Sequence, residues 1–391
     1  MFRMLGGGTL LLLASITKPA TAFLTSHDDI IPSTNSNYLP SILKMAEKNT
    51  NIDNDNNNMN NEVGYSSLSM LVMNTQIPVA AWYPIVKDDE ESNINTKKEE
   101  HTKQETCYSH RISIKRIGEL LAQWNFIPEF ASKSYELQSN IPIKIVDNNE
   151  LPSANGPVVL FAHGYLGSRF DLAHICEALA QDGFTCLSAE YPESLAASYE
   201  RKEGLDRTVI TNQLVEELTT WGMTNPTSFG IVGHSLGTGT ALSAGDDSWA
   251  RVCIAGFPRN FNNGLAPTVK SALYISSMND GAVSPQRFGG VDAIPKEYTL
   301  LSEEAIPYNN KILPSKSMLL IDRPDGPNHI SFLTDGVNNA MIDLLSPLLP
   351  IAKGLSIPVL DFDKYQLSRD SDATAQIVIP LVRQYLKEQM I

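Results

Sequence analysis

The sequence is short of positive charge. Its 391 residues include 30 Lys and Arg against 44 Asp and Glu, so the formal net charge is −14. Because an acidic surface repels phosphate backbones, this balance argues against nucleic acid as a partner. The apolar share of 42 % and the charged share of 19 % are ordinary for a globular protein.

Cysteine is also scarce. The four cysteines are Cys107, Cys176, Cys186 and Cys253, and no two of them form a CxxC pair. This disfavours a zinc knuckle or a thioredoxin-type redox site, so we expect neither a metal nor another cofactor. The last three cysteines lie in apolar runs, where buried and unreactive thiols are expected.

Long apolar runs are missing after the N-terminus. The first 22 residues, MFRMLGGGTLLLLASITKPATA, combine a basic start, a short apolar stretch and a small-residue cleavage site. This pattern predicts a secretory signal peptide over residues 1–22, with a short membrane anchor as the alternative. No later stretch approaches the roughly 18 apolar residues of a membrane span.

The junction Ala20-Thr21-Ala22-Phe23 indicates a destination beyond the secretory pathway. It resembles bipartite plastid presequences, in which a signal peptide is followed by Phe and a transit segment. Asp28 and Asp29 are atypical of such a segment, which is usually poor in acidic residues. We therefore expect entry into the secretory pathway, with the plastid as one destination and secretion or the endomembrane system as the alternative.

The remaining chain divides by composition. Residues 23–63 are polar and end in a tract of Asn and Asp, which cannot bury enough apolar surface to offset its ordering entropy. This predicts a transit-like or disordered linker. Residues 87–106 are a charged insertion, predicted to be an exposed loop. We assign residues 64–391 to one folded domain, a size that α/β folds can reach.

Short apolar runs alternate with stretches of helical spacing along this domain. The runs predict buried strands at 79–83, 157–162, 184–189, 228–232, 251–257, 272–277 and 317–322. The helical stretches are 171–181, 207–221, 238–243 and 373–389. Ile77-Pro78 predicts a hairpin turn before the first strand. The alternation predicts the α/β class, with a mostly parallel central sheet and helices on both faces.

One segment carries a nucleophile signature. Gly233-His234-Ser235-Leu236-Gly237 is a G-x-S-x-G sequence between a predicted strand and a predicted helix, which is the context of a nucleophile elbow. The glycines allow neighbouring backbones to approach closely, so the Ser235 hydroxyl would project above the sheet edge. His234 is expected to pack beneath the turn. A merely structural tight turn is the alternative.

A serine nucleophile needs a base, and the base needs an orienting acid. In this kind of turn the chain order is Ser, acid, His, and His329 is the sole histidine after Ser235. Asp280 directly follows the predicted strand 272–277, where catalytic acids of open α/β sheets lie. It is our choice among nine acidic residues in the interval, with Asp325 as the alternative.

The oxyanion of an acyl-transfer intermediate requires two backbone N–H donors. One is expected from Leu236, the residue after the nucleophile. The other is expected from the loop after strand 157–162, which reads His163-Gly-Tyr-Leu-Gly167. Within it we choose the Tyr165 N–H. His163 precedes the serine and is expected to order this loop.

Residues 157–340 resemble an α/β-hydrolase. Four features resemble more narrowly the platelet-activating-factor acetylhydrolase and dienelactone-hydrolase-like group: IPVAAWYP at 77–84, PVVLFAHGYLGS at 157–168, GHSLG at 233–237, and Asp280 with His329. The similarity covers about residues 65–345. It implies an α/β-hydrolase fold and a metal-free Ser–Asp–His esterase acting on esters or thioesters. The N-terminal insertions and the Asn tract depart from the family pattern.

An amphipathic stretch at 117–130 bears on the substrate. Its aromatic residues Trp124, Phe126 and Phe130 are expected to pack on the core; lining a pocket entrance or contacting a lipid surface is the alternative. From the family resemblance we expect a small apolar ester or lipid as partner; peripheral membrane contact belongs to the alternative, and the oligomeric state stays open. Residues 193–226 would form either a cap over the site or ordinary helices.

Three functional hypotheses follow. The first is an esterase of lipid metabolism that cleaves an apolar carboxylic ester through an acyl-enzyme on Ser235. The second is a chlorophyllase-like plastid esterase, although chlorophyllases usually carry Arg after the nucleophile, where this chain has Leu236. The third is a non-catalytic ligand-binding protein on a hydrolase scaffold. Acyl transfer to an alcohol instead of water also stays open.

Overall fold

The computed structural model describes part of the chain. The described residues are 61–85, 103–122, 126–127, 132–146, 151, 155–196, 199, 202–258, 269–306, 311–346, 350 and 369–391. The predicted signal peptide and plastid junction, most of the predicted linker, residues 87–102, Trp124 and Phe130 lie outside these ranges. The predictions made for them stay predictions.

Eleven strands of the described chain form one sheet. They are β1 (Glu62–Val72), β2 (Thr75–Ile85), β3 (Lys103–Ser113), β4 (Ser132–Ile145), β5 (Val158–Ala162), β6 (Thr185–Ala189), β7 (Phe229–His234), β8 (Ala250–Ile254), β9 (Ala272–Ser277), β10 (Thr299–Leu301) and β11 (Lys316–Ile321). Their order across the sheet is β10-β11-β9-β8-β7-β5-β6-β2-β1-β4-β3. The seven strands from β10 to β6 run parallel, and β2 joins this block antiparallel to β6.

Helices cover both faces of the parallel block. These are α2 (Ala173–Gln181), α3 (Arg207–Glu217), α4 (Leu236–Ser243), α5 (Asp335–Leu345) and α6 (Ser371–Met390); a further short helix, α1 (Ile114–Ile117), lies between β3 and β4. One core cluster joins α2, α5 and α6 to strand residues such as Val159 and Phe161. The other joins α3 and α4 to Val158 and Leu160. Successive residues of β5 thus face opposite cores, so its whole sequence is apolar.

This arrangement confirms the predicted fold class. A mostly parallel sheet with helices on both faces and a sharp turn between β7 and α4 is the α/β-hydrolase fold. The predicted helix at 171–181 begins two residues later, at Ala173, and that at 207–221 ends as an α-helix at Glu217. Helix α3, within the 193–226 segment offered as a cap, buries Ile210 and Leu214 against the sheet.

The predicted hairpin turn at Ile77-Pro78 is wrong. Both residues lie inside β2, and the turn is formed by Met73 and Asn74, whose φ angles are 48° and 58°. Two residues of positive φ make the type of two-residue turn that matches strand twist. Pro78 is tolerated because it lies at the end of the β2–β6 ladder: the paired register begins at Val79, and the Pro78 carbonyl still accepts the Glu190 N–H at 3.0 Å.

Strands β3 and β4 were not predicted. The charged insertion expected as a loop over 87–106 supplies the first residues of β3, which pairs antiparallel with β4 at the sheet edge. Both strands are largely polar, because an edge hairpin buries only part of its surface. At the N-terminal boundary, β1 begins at Glu62, inside the predicted linker 23–63. An ion pair between Glu62 and Lys144 joins β1 to β4.

The predicted amphipathic stretch 117–130 is only partly described. Helix α1 is followed by a π-helical turn over Gly118–Ala122, and Phe126 exposes 77 % of its surface. Phe126 therefore does not pack on the core. Within the described ranges, no helix combines the length and the apolar character that a membrane crossing requires.

Four histidines are buried in the neutral form. Burial lowers the pKa of His110 and of His234 to about 3, that of His174 to about 4, and that of His163 well below its ordinary value. Nearby positive groups, such as Arg169 beside His110, act in the same direction. Because an unfolded histidine takes up a proton near pH 6.5, these groups favour unfolding in acid.

Two buried carboxyls act in the opposite sense. Burial raises the pKa of Asp171 and of Glu177 to about 7, so both hold a proton in the folded protein at pH 5, where the unfolded chain would release it. Their contribution to stability is full below the unfolded pKa and is lost as the pH rises through 7. As the pH falls from 7.5 to 5, the destabilising effect of the four histidines exceeds the stabilising effect of the two carboxyls.

We expect acidification from pH 7.5 to pH 5 to lower the free energy of unfolding by about 1–3 kcal/mol. Urea titrations at the two pH values measure it. Glu177→Gln, which removes one opposing carboxyl, should enlarge the loss relative to its own stability at pH 7.5. A urea midpoint that stays constant or rises at pH 5 would contradict the neutral state of these histidines.

Candidate active site

The turn between β7 and α4 is strained at Ser235. Its φ and ψ angles are 55° and −116°, in a region that non-glycine residues rarely adopt. The surrounding backbone holds it there, because the Ser235 N–H donates to the Ile254 carbonyl at 2.9 Å and the Ser235 carbonyl accepts from Thr238. The serine side chain thus stands at the carboxyl end of the parallel strands.

Two glycines make this turn sterically feasible. A Cβ atom on Gly233 would lie 2.2 Å from the Gly237 carbonyl oxygen, and one on Gly237 would lie 1.9 Å from the Ala162 carbonyl oxygen. Both distances are far inside van der Waals contact. The first turn of α4 therefore packs directly on the end of β5, which pairs with β7 through Ala162 and Gly233.

The three residues selected from the sequence meet above this edge. His329 Nε2 lies 2.8 Å from Ser235 Oγ, and His329 Nδ1 lies 2.8 Å from Asp280 Oδ2. Asp280 and His329 are 1 % and 5 % exposed, whereas Ser235 is half-buried. Because a carboxylate only accepts, Nδ1 carries the ring proton and Nε2 is the acceptor for the serine hydroxyl.

The surroundings of Asp280 favour its ionised form. Burial raises the pKa of this carboxyl, but the His329 ring and the Val283 N–H outweigh burial, so the pKa lies below its ordinary value. Oδ1 accepts the N–H groups of Ala282 and Val283 at 2.9 and 2.7 Å. The alternative acid Asp325 is exposed and pairs with Arg323 at 3.3 Å.

Two asparagines not predicted from the sequence order the loops that carry Asp280 and His329. Asn279 Nδ2 donates to the carbonyls of Arg323, Pro324 and Gly326, each at 3.1 Å, and so joins the loop after β9 to the loop after β11. Asn328 Oδ1 accepts from the backbone of Ile330 and from Ser331. The sequence does contain a signal for both, because Asn279 directly precedes Asp280 and Asn328 directly precedes His329.

His234 does more than the predicted packing. Its ring is buried beneath the turn, as expected, but Nε2 also lies 3.1 Å from the His329 carbonyl oxygen. Since that carbonyl can only accept, Nε2 carries the proton and Nδ1 has none. Nδ1 has no hydrogen-bond partner within the described ranges. His234 therefore positions the backbone of His329.

The loop after β5 lies against the turn. A Cβ atom on Gly164 would be 3.2 Å from Ser235 Cβ, so the residue next to Tyr165 touches the serine. His163 does order this loop: Nδ1 donates to the Gly164 carbonyl at 2.8 Å, and Nε2 accepts the Tyr191 N–H at 3.0 Å. Leu236 opens α4, and its N–H is among those without an intrahelical partner.

Two surface cavities in the described chain lie away from Ser235. One of about 600 Å³ is lined by residues that include Thr75 and Lys202, and one of about 460 Å³ by residues that include Tyr135 and Asp343. Neither reaches the hydrogen-bonded Ser–His–Asp group. Over the described ranges, no cluster of three His, Cys, Asp or Glu side chains is arranged to bind a metal ion.

Comparisons with known proteins give structural similarity only. No protein-family model and no curated protein matches the sequence. A ferulic acid esterase from Streptomyces cinnamoneus is similar in structure, with 14 % identity, a TM-score of 0.41, and coverage of 84 % of this chain and 90 % of the other. A dienelactone hydrolase from Anabaena variabilis shows 17 % identity, a TM-score of 0.34, and coverage of 73 % and 96 %.

A dienelactone hydrolase-like promiscuous phosphotriesterase from metagenomic libraries shows 13 % identity and a TM-score of 0.40 and covers 83 % of this chain and 98 % of its own. At these values the strand order and the turn at Ser235, rather than the neighbours, define the fold of this chain.

Gly237 and Gly239 offer a matched test of the turn. Both lie in α4, but a Cβ on Gly239 meets nothing within 4 Å. We expect Gly237→Ala to lower the free energy of unfolding by about 2–4 kcal/mol, because the backbone of β5 must shift. Gly239→Ala should be neutral or stabilise by about 0.5–1 kcal/mol. Thermal unfolding of both variants measures the difference, and equal melting temperatures would show that α4 does not abut β5 as described.

Proposed function

We propose that this chain is a serine hydrolase that cleaves a carboxylic ester through an acyl-enzyme on Ser235. The observation that supports it is the continuous hydrogen-bonded series from Ser235 Oγ through His329 to Asp280, with the serine on a strained turn. Packing alone would not require a positive φ at a serine together with a buried histidine and carboxylate aligned on it.

In the proposed reaction, Ser235 Oγ attacks the ester carbonyl carbon while its proton moves to His329 Nε2. The Asp280 carboxylate stabilises the imidazolium through the Nδ1–H. The alkoxide leaves with the proton from Nε2, and the acyl group stays on Oγ. Water then attacks the acyl-enzyme with His329 again as base, which releases the acid and restores the serine.

The N–H groups of Leu236 and Tyr165 are the proposed donors to the oxyanion. They belong to the two segments that adjoin Ser235, the first turn of α4 and the loop after β5. Donors held by the backbone need no reorientation as charge develops, which is the main source of transition-state stabilisation in such sites.

For the substrate we propose an apolar ester, such as an acyl group of a lipid. The resemblance to the platelet-activating-factor acetylhydrolase group supports it, and so does Phe126, whose exposed ring suits local apolar contact with a lipid surface. Attraction to anionic membranes by net charge is not part of this proposal, since the chain is acidic. We also propose that such an enzyme enters the secretory pathway, with the plastid as one destination and secretion or the endomembrane system as the alternative; the predicted signal peptide at 1–22 and the plastid-type junction support this.

Reaction with a fluorophosphonate probe tests the enzyme proposal. We expect the full chain to be labelled at Ser235 and Ser235→Ala to be unlabelled, because only an activated hydroxyl attacks the probe. Ser243→Ala, a change in α4 away from His329, is the control for the serine substitution. A folded wild-type protein that stays unlabelled would refute the hydrolase and favour the ligand-binding hypothesis.

The substrate panel then separates the finer hypotheses. It comprises p-nitrophenyl esters of increasing chain length, short-acyl and long-acyl phospholipids, and chlorophyll, each with and without an acceptor alcohol. Hydrolysis of chlorophyll above the other esters would support the chlorophyllase-like alternative. Ester products formed with the alcohol would indicate acyl transfer.

Asp280→Asn tests the role of the acid. The amide fills the same space, but it no longer fixes the proton on Nδ1 of His329, so we expect kcat to fall by about 10³–10⁴-fold. Asp325→Asn, which alters the exposed partner of Arg323, should leave kcat within about twofold. Steady-state hydrolysis of the best p-nitrophenyl ester compares the two, and an equal loss in both variants would contradict the choice of Asp280.

A further inference from the structure

Arg207, the first residue of α3, reaches from its helix to the loop after β5. Its Nη1 donates to the His163 carbonyl at 2.8 Å, and its Nη2 lies 3.4 Å from the Gly164 carbonyl. Nε pairs with Glu193 at 3.0 Å, and the guanidinium lies over the Tyr191 ring, 4.6 Å from its centroid. Arg207 and Glu193 are only 11 % and 15 % exposed.

The Gly164 carbonyl belongs to the same peptide unit as the Tyr165 N–H. Three donors surround that oxygen: His163 Nδ1 at 2.8 Å, the Gly167 N–H at 3.3 Å and Arg207 Nη2. In a planar trans peptide the C=O and N–H groups point in opposite directions. Fixing the oxygen therefore fixes the direction in which the Tyr165 N–H points.

The same ion pair contacts both halves of the proposed oxyanion site. Arg207 Nη1 lies 3.5 Å from Thr240 Oγ1 on α4, the helix that Leu236 opens. The carbonyl of Glu193 accepts the Leu166 N–H at 3.1 Å, and Leu166 has a φ of 63°. Arg207 and Glu193 thus contact the strained loop after β5 and the helix after the nucleophile.

We propose that the Arg207–Glu193 ion pair is a positioning device for the oxyanion site, holding the 164–165 peptide so that the Tyr165 N–H faces the reacting carbonyl oxygen. This inference rests on the proposed function, which it deepens. Arg207 contacts no reacting atom; it acts through the two carbonyls it binds. A guanidinium suits this task because its planar fork donates to both oxygens at once, which an ammonium cannot do in the same geometry.

The test uses Arg207→Met and Arg207→Lys in the full chain. Methionine keeps an unbranched side chain but removes the charge and every donor, and lysine keeps the charge but has its donors on one nitrogen instead of a planar fork. We expect Arg207→Met to lower kcat/KM by about 10–100-fold, mainly through kcat, and Arg207→Lys to fall between it and wild type. Loss of one complete oxyanion donor corresponds to about 10²–10³-fold, so a misdirected donor should lose less.

A transition-state analogue separates positioning from general destabilisation. A trifluoromethyl ketone forms a tetrahedral adduct whose oxygen needs the oxyanion donors, whereas the amide isostere of the same ester binds as a ground state. Arg207→Met should lower the affinity for the ketone by the same factor by which it lowers kcat/KM, and it should change the affinity for the amide by less than threefold. Parallel weakening of both ligands, or an unchanged kcat/KM in a folded variant, would overturn the proposal.

Arg383→Met is the matched control. Arg383 on α6 pairs in bidentate fashion with Asp182 at 2.5 Å, so the variant loses a comparable ion pair in a different part of the described chain. It should lower the melting temperature and leave kcat/KM and ketone affinity within twofold of wild type. Glu193→Gln, which keeps an oxygen for Nε, should fold and lose less activity than Arg207→Met.

Hydrogen exchange of the 163–168 backbone gives a readout that does not depend on turnover. Arg207→Met should speed exchange in this loop at least tenfold, and Arg383→Met should not. Exchange that is unchanged in Arg207→Met would refute the positioning role even if the wild type were active. Faster exchange with a wild type that resists the fluorophosphonate would instead refute the proposed function and leave the loop contact standing.

Discussion

The close approach of α4 to the end of β5 is the constraint on which the site depends. Gly237 has no room for a side chain against the Ala162 carbonyl, and Gly233 has none against Gly237. Together they leave the residue between β7 and α4 with a positive φ. The turn lifts Ser235 clear of the sheet, so loops from β9 and β11 can bring Asp280 and His329 to it. If α4 packed less closely on the end of β5, Ser235 would no longer project from the edge of the sheet.

How much of the fold and the site could be predicted depends on which of their features are local in the sequence. The parallel block was predictable because its strands are buried on both faces and read as short apolar runs, such as VVLFA in β5. The meeting of Ser235, Asp280 and His329 followed from chain order and from the rule that loops at the carboxyl ends of parallel strands converge. These inferences need only neighbouring residues and a general topology.

What sequence reasoning missed depends on contacts between distant residues. The β3–β4 hairpin has a polar sequence because it lies at an edge, so no apolar pattern identifies it. Pro78 is typical of a turn when only its neighbours in the sequence are considered. The strand β6, against which Pro78 ends a ladder, lies over 100 residues away in the chain. Arg207 lies over 40 residues from the loop it contacts. The contacts of such residues can be recognised only in the folded structure, because their partners are distant in the sequence.

The loop after β6 connects these distant parts. Arg116, on α1 between β3 and β4, donates to the carbonyls of Pro192 and Ser194, while Ser113 donates its N–H to the Leu195 carbonyl. From the other side, Glu193 of the same loop pairs with Arg207. The Tyr165 hydroxyl also donates to the carbonyl of Leu120, in the π-helical turn. The segment from β3 to β4 at the sheet edge therefore supports the loop beside Ser235, although neither strand adjoins β7.

Charge at the site is arranged around the proton that His329 would accept. The His234 ring lies 5.0 Å from the His329 ring, centroid to centroid, and a second imidazolium there would oppose protonation of the first. Burial prevents this, since it holds the pKa of His234 at about 3 and keeps that ring neutral, able to donate to the His329 carbonyl. On the other side, the ionised Asp280 carboxylate favours the imidazolium. One neutral neighbour and one anionic neighbour would let the buried His329 ring carry positive charge during the proposed reaction.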